Sequence, residues 1–132
     1  EPQSAEVARV SIDRAGVGEK VTIHVGIAAD VLPTLAGPYD LVFIDADKES
    51  TSLYLDWAAR LGRPGTVVIV DNTARSGAVA DEHNVHPQIV GVRQGLSVLG
   101  ADPRFDATSL QTLDAKGWDG IAIGVLTDAV AH

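Results

Sequence analysis

Hydrophobic positions change period several times along the 132 residues, and each change marks an element. Ala5, Ala8, Ile12 and Ala15 recur at helical spacing behind Ser4, which predicts a capped helix that leaves through Gly16. Lys20 to Val25 reads as a short strand, and Ile27 to Leu35 as a helix of a turn or two that Pro33 keeps short. Tyr39 to Asp45 and Thr66 to Val70 are apolar strands. A helix opening at Ser50 or Thr51 separates them, with Leu53, Trp57 and Leu61 facing inward. After a loop from Asn72 to His83, the stripe Val85, Ile89, Val92, Leu96 and Leu99 predicts the clearest helix, closed by Gly100. Phe105 to Leu113 and Ile121 to Leu126 are two final strands, joined through a turn at Lys116-Gly117.

Uninterrupted apolar strands are buried on both faces, and when helices separate them the pattern is that of a parallel α/β sheet. No repeat, low-complexity stretch or linker divides the chain, so one domain over residues 1–132 is expected.

Composition narrows the function more than the fold. A net charge of −8 and a pI near 4.7 argue against a nucleic-acid partner and against an anionic membrane surface. The absence of cysteine rules out disulfides and thiolate metal sites. The longest apolar runs are strand-length, and Glu1-Pro2-Gln3 has none of the features of a signal peptide, so a cytoplasmic protein is the expectation.

Both central strands end in acid. One reads Leu41-Val42-Phe43-Ile44-Asp45-Ala46-Asp47-Lys48, the other Val67-Val68-Ile69-Val70-Asp71-Asn72. Open α/β sheets bind ligands beyond the carboxyl ends of their strands, and a right-handed crossover would set these two parallel, about 4.8 Å apart if adjacent. Asp45 and Asp71 then share one rim with the Asn72 amide oxygen. This is a hard, all-oxygen set suited first to Mg²⁺, and also to Mn²⁺ or Ca²⁺. The plainer account is that each Asp caps the turn or helix after it. That serves for either Asp alone, whereas the pair favours a site. Lys48 reaches the same rim. Beside a divalent cation a lysine is pushed toward its neutral form and could take a proton; without one, Lys48 is a solvated partner of Asp47.

The run Tyr39 to Lys48, then Tyr54, Arg63-Pro64-Gly65, Asp71-Asn72 and Gly77, resembles the caffeoyl-CoA and catechol O-methyltransferase group. Ala5-Glu6-Val7-Ala8-Arg9, Arg14-Ala15-Gly16, Gly26-x-Ala28 with Leu32-Pro33, and Asp119-Gly120 match as well, so the resemblance covers nearly the whole chain. It implies a Rossmann-like class I methyltransferase fold, mostly parallel with an antiparallel last strand, and a homodimer. It implies a divalent cation on Asp45, Asp71 and Asn72, with Lys48 as general base. Its methyl donor is S-adenosylmethionine, the adenine bordered by Gly26, Ala28 and Ala29. Asp47 sits at the donor's methionine end, and Asp45 and Tyr54 belong to the same donor site. The acceptor is a hydroxylated small molecule, typically a catechol, chelated through two neighbouring oxygens.

The sequence departs from that group in places. Thr51 stands where a second tyrosine is usual, Gly65-Thr66 where a double glycine is, and Arg75 where the loop carries an aromatic residue. A cationic Arg75 would favour an acidic or phosphorylated acceptor. The first strand with its glycine-rich turn, and the acidic residue that holds the ribose, are not in the sequence. The expectation is an N-terminally truncated chain, inactive by itself or completed by a partner copy. Two rivals stay open: a non-enzymatic remnant of the fold, and a nicotinamide-dependent dehydrogenase, which needs a Gly-x-Gly-x-x-Gly turn not found here. His83 and His86 read as loop residues ahead of a helix capped by Asn84, and Trp57 and Trp118 as core or interface anchors.

Overall fold

Two short runs of β-branched and aliphatic side chains set the sheet of the computed structural model, which describes residues 2–128. Strands β1 (Leu41–Ile44) and β2 (Val67–Asp71) pair in parallel, Leu41 opposite Val67 and Ile44 opposite Val70. A parallel pair needs a crossover, and helix α3 (Thr51–Leu61) supplies it. Strands β3 (Phe105–Asp114) and β4 (Gly117–Leu126) form a hairpin. Its turn closes where Asp114 Oδ1 accepts the Lys116 N–H at 2.7 Å and Gly117 takes φ +112°, a conformation that favours glycine. The sheet order is β1-β2-β4-β3. β4 runs antiparallel to both neighbours, so three strands point one way and the last is inverted, as expected.

Ile44, Val68, Val70, Ala122 and Leu126 face a core closed by Leu55 and Ala58 of α3, Leu99 and Phe105. Burial on both faces was expected and holds on one only: Leu41 and Phe43, on the other face of β1, are 57% and 58% exposed. The inward face of α3 also differs from the prediction. It holds Thr51, Leu55 and Ala58, while Leu53 is exposed and Trp57 lies half-buried under the Arg60 guanidinium. The bulkiest residues suggested the wrong stripe, because small side chains are what let this helix approach its neighbours.

Helix α4 (Pro87–Ala101) buries Ile89, Val92 and Leu99 as predicted. Val85 does not join them; it precedes the helix and is exposed. Asn84 is not the helix cap either: its Oδ1 accepts the His86 N–H at 3.0 Å one turn earlier, and the helix starts at Pro87, whose ring suits a first helical position. Gly91 and Gly95 give α4 its closest approach. A Cβ on Gly91 would lie 2.4 Å from Lys48 O, and one on Gly95 would lie 2.4 Å from Thr51 Cγ2. Thr51, where a tyrosine was expected by resemblance, is therefore confined to a small side chain, and its Oγ1 donates to Lys48 O at 2.7 Å.

The chain divides into two compact units, Glu1–Leu35 and Ala36–His132; the elements above belong to the second. The first contains α1 (Pro2–Arg14) and the short α2 (Ala28–Val31), the latter running into a 3₁₀ turn at Leu32–Thr34. α1 starts at Pro2 rather than after Ser4, and its chain exit at Gly16 takes φ +69° as expected. Lys20 to Val25 is not a strand. Gly18–Lys20 is a 3₁₀ turn and residues 21–25 have no ladder partner among the described residues; an extended segment becomes a strand only by pairing. Among the described residues no helix is long and apolar enough to cross a membrane.

Arg104 joins the end of α4 to α3, donating to both oxygens of Asp102 and, at 3.1 Å, to Asp56 Oδ1. These bonds, Arg104's first, hold the Asp102 carboxyl below its ordinary value.

Two expected outcomes follow for the complete protein. In thermal unfolding, Gly91→Ala lowers the midpoint by the equivalent of about 1–3 kcal/mol, because its methyl meets backbone. Gly100→Ala, with open space around it, raises stability by about 0.5 kcal/mol, and equal effects would contradict the packing described. Second, a folded-state pKa that lies below the unfolded one stabilises above the unfolded value and ceases to do so as pH falls through the folded one. Asp102→Asn should therefore destabilise at about pH 7 and converge on wild type near pH 2, as read from denaturant midpoints.

Candidate functional site

The parallel register carries straight into the site. Ile44 faces Val70, so the next residues, Asp45 and Asp71, leave the sheet side by side. The chain after β1 turns at once: Asp47 accepts the Ser50 N–H at 3.1 Å and opens a 3₁₀ turn, Lys48–Ser50, ahead of α3. That turn folds Lys48 back over the strand ends, where the side chain is buried. Its Nζ donates to Asp45 Oδ1 at 3.1 Å and to Asp71 O at 3.2 Å. The predicted lysine thus ties the two predicted carboxylate positions together and is not a solvated partner of Asp47.

Asn72 follows with φ +59°, a left-handed conformation that asparagine tolerates better than most residues. Its N–H donates to Asp71 Oδ1 at 2.7 Å. Arg75, Ser76 and Gly77 are also left-handed, at φ 52°, 53° and 90°. Such a loop needs outside support, and the start of β4 supplies it. Gly120 O accepts from Thr73 N at 2.9 Å; Asp119 Oδ1 accepts from Ala74 N at 3.0 Å and Arg75 N at 2.9 Å; the Trp118 ring covers Gly77. Arg93 of α4 holds the far end, donating to Val79 O, Asp81 O and Asn84 O. The Arg75 guanidinium is engaged by Gln88 Oε1 at 3.0 Å.

A cavity of about 290 Å³ opens beside these residues, lined by Asp71, Asn72, Ser76, Asp114, Lys116 and Trp118 among others. Its cationic residue is Lys116 of the hairpin turn; Arg75 is not among the lining residues. Asp119 also lines it and was not singled out from the sequence as a functional residue. Burial raises its carboxyl, but N–H groups from Arg75, Ala74 and Gly120, with the Asn72 amide, outweigh this and leave it below the ordinary value. The Asp-Gly pair before the last strand was the available signal.

Lys48 and the Asn72 N–H each use one oxygen, Oδ1, of Asp45 and Asp71 respectively. The second oxygen of each carboxylate, and Asn72 Oδ1, accept nothing among the described residues. Three hard oxygens thus stand without protein donors at the strand ends, and the side chain of Asp45 is 54% exposed. That donor set fits a cation such as Mg²⁺, with water or substrate completing the shell.

The Tyr54 hydroxyl donates to Asp47 Oδ1. Hydrogen bonds from Ser50 first, then Tyr54, hold the Asp47 carboxyl below its ordinary value, while burial first, then Asp47, raises the Tyr54 phenol. Gly26, Ala28 and Ala29 belong to the first unit, Gly26 ahead of α2 and the two alanines opening it. His83 is exposed, and its N–H is taken by Asp81 Oδ1 at 3.0 Å in the loop before α4.

Comparison with known proteins gives this arrangement a family. A catechol O-methyltransferase of Mycobacterium tuberculosis is 50% identical over 127 residues, 96% of this chain and 57% of its own length. Among solved structures, an O-methyltransferase from Bacillus cereus in complex with SAH superposes with a TM-score of 0.93 at 39% identity, over 96% of this chain and 60% of that one. The O-methyltransferase TomG from Streptomyces achromogenes, involved in tomaymycin synthesis and in complex with SAM, superposes with a TM-score of 0.92 at 41% identity, over 96% and 59%. The chain therefore spans somewhat under two thirds of the length of these relatives. The family model described as O-methyltransferase matches residues 1–122, and the chain belongs to that family.

Proposed function

We propose that this chain is part of an enzyme that moves the methyl group of S-adenosylmethionine to a hydroxyl of a small, catechol-like molecule. The observation that carries the reading is the meeting of Lys48 with Asp45 and Asp71 at adjacent strand ends, with Asn72 next in the chain. Relatives named for catechol methylation and solved structures in complex with SAM or SAH support it, and family membership sets aside the nicotinamide-dependent alternative.

In this reading Asp45, Asp71 and Asn72 hold a divalent cation, Mg²⁺ first. When bound, the cation lowers the cost of ionising a hydroxyl that chelates it. Lys48, in its neutral form, takes the hydroxyl proton at Nζ. The freed acceptor oxygen forms a bond to the sulfonium methyl carbon as the carbon–sulfur bond breaks, and the electron pair leaves with the thioether. Lys48 is well placed for this because both of its hydrogen bonds are to groups at the strand ends, which fixes where the proton arrives. The cavity beside Asp71 and Asn72 is the place for the acceptor, with Trp118 as a flat wall. The family resemblance would give Asp47, oriented by Ser50 and Tyr54, to the donor's methionine end, and Gly26, Ala28 and Ala29 to its adenine. A homodimer in the cytoplasm, with neither nucleic-acid nor membrane partners, completes the reading; the net charge of −8 supports the exclusion of anionic partners.

The test is methyl transfer to a catechol by the complete protein. Activity should require Mg²⁺ and vanish with a chelator, and Asp71→Ala should lower kcat/KM by about a hundredfold or more. A folded protein that binds neither Mg²⁺ nor S-adenosylhomocysteine by calorimetry would overturn the assignment in favour of a non-enzymatic remnant.

A further inference from the structure

Asp119 is bonded more fully than loop anchoring requires. Its Oδ1 accepts the N–H groups of Ala74, Arg75 and Gly120 at 3.0, 2.9 and 2.9 Å. Its Oδ2 faces the Asn72 side-chain nitrogen, Nδ2, at 3.5 Å. A carboxylate has no hydrogen to give, so of the two ends of the Asn72 amide only the NH₂ can face it favourably. The amide oxygen on the same carbon must then turn the other way.

We propose that Asp119 is a positioning residue for the cation site: it fixes the Asn72 amide so that oxygen, not nitrogen, is offered to the cation. This rests on the reading that Asn72 is a cation ligand. The left-handed backbone at Asn72 aims the side chain but cannot choose between its two nearly isosteric ends. The choice requires a neighbour that tells donor from acceptor, and among the described residues Asp119 is the one that bonds that side chain. The same carboxylate holds the loop through Ala74 and Arg75, so loop path and ligand orientation are set by one group. Partners of this kind, behind a metal ligand, are worth about 10- to 100-fold in affinity.

Asp119→Asn tests it with almost no change of shape. Its amide oxygen can keep the three backbone N–H groups, but its NH₂ then meets the NH₂ of Asn72, and the Asn72 amide turns over. With the complete protein and neither donor nor acceptor present, Mn²⁺ titrated by calorimetry should bind the variant about 10- to 100-fold more weakly. The metal-free variant should fold with a somewhat lower unfolding midpoint at neutral pH, since its lowered carboxyl is lost, and its affinity for S-adenosylhomocysteine should stay close to wild type. Unchanged Mn²⁺ affinity in a folded Asp119→Asn protein overturns the proposal. Should that variant not fold, wild type decides by NMR. One Asn72 side-chain hydrogen must exchange slowly with water through its bond to Asp119, and two equally fast hydrogens overturn it. If folded wild type binds S-adenosylhomocysteine but no Mn²⁺, the cation reading of the site fails, and this proposal fails with it.

Discussion

A lysine ammonium held between two strand ends is the contact on which the rest of this site depends. Bringing a charged Nζ out of water is unfavourable unless its hydrogens find acceptors, and Lys48 finds a carboxylate oxygen of Asp45 and the carbonyl of Asp71. The Asp45 contact is local, three residues back in the same turn, but the Asp71 carbonyl would shift by about 3.3 Å if β1 and β2 were out of register by one residue. The apolar pairs from Leu41 with Val67 to Ile44 with Val70 therefore do more than build a core. They decide where two acids and a lysine meet.

The loop after β2 shows a second constraint. Left-handed backbone at Asn72, Arg75 and Ser76 is unfavourable by about 1 kcal/mol or more at each non-glycine residue, and persists only where surrounding bonds over-determine it. Here they come from the first residues of β4. That strand lies between β2 and β3, inverted, so its beginning is beside the end of β2 where the loop starts. The antiparallel last strand thus brings Trp118, Asp119 and Gly120 to the rim where Asp71 and Asn72 leave the sheet.

Much of this was legible in the sequence, for reasons that can be named. Parallel strands announce themselves as unbroken apolar runs, and the residue just past each run is where ligands gather, so Asp45, Lys48, Asp71 and Asn72 could be picked out without coordinates. Local pattern does not carry pairing, so Lys20 to Val25 resembled a strand although none of the described residues pairs with it. Nor does bulk reveal which helical face is inner: α3 packs through Thr51 and Ala58 where Leu53 and Trp57 drew attention. Asp119 is a different case. It lies 47 residues from Asn72, and nothing in the spacing joins an acid near the start of the last strand to an asparagine after an earlier one.

The glycines of α4 have a mechanical consequence. At Gly91 the helix backbone lies nearly against the backbone of Lys48 and Glu49 with no side chain between them, and at Gly95 it meets the short Thr51 side chain. A shift of α4 along or about its axis would therefore press on the turn that carries Lys48. Lys48 thus has a fifteen-residue helix packed against the backbone that carries it, and the placing of one nitrogen atom rests on how that helix lies.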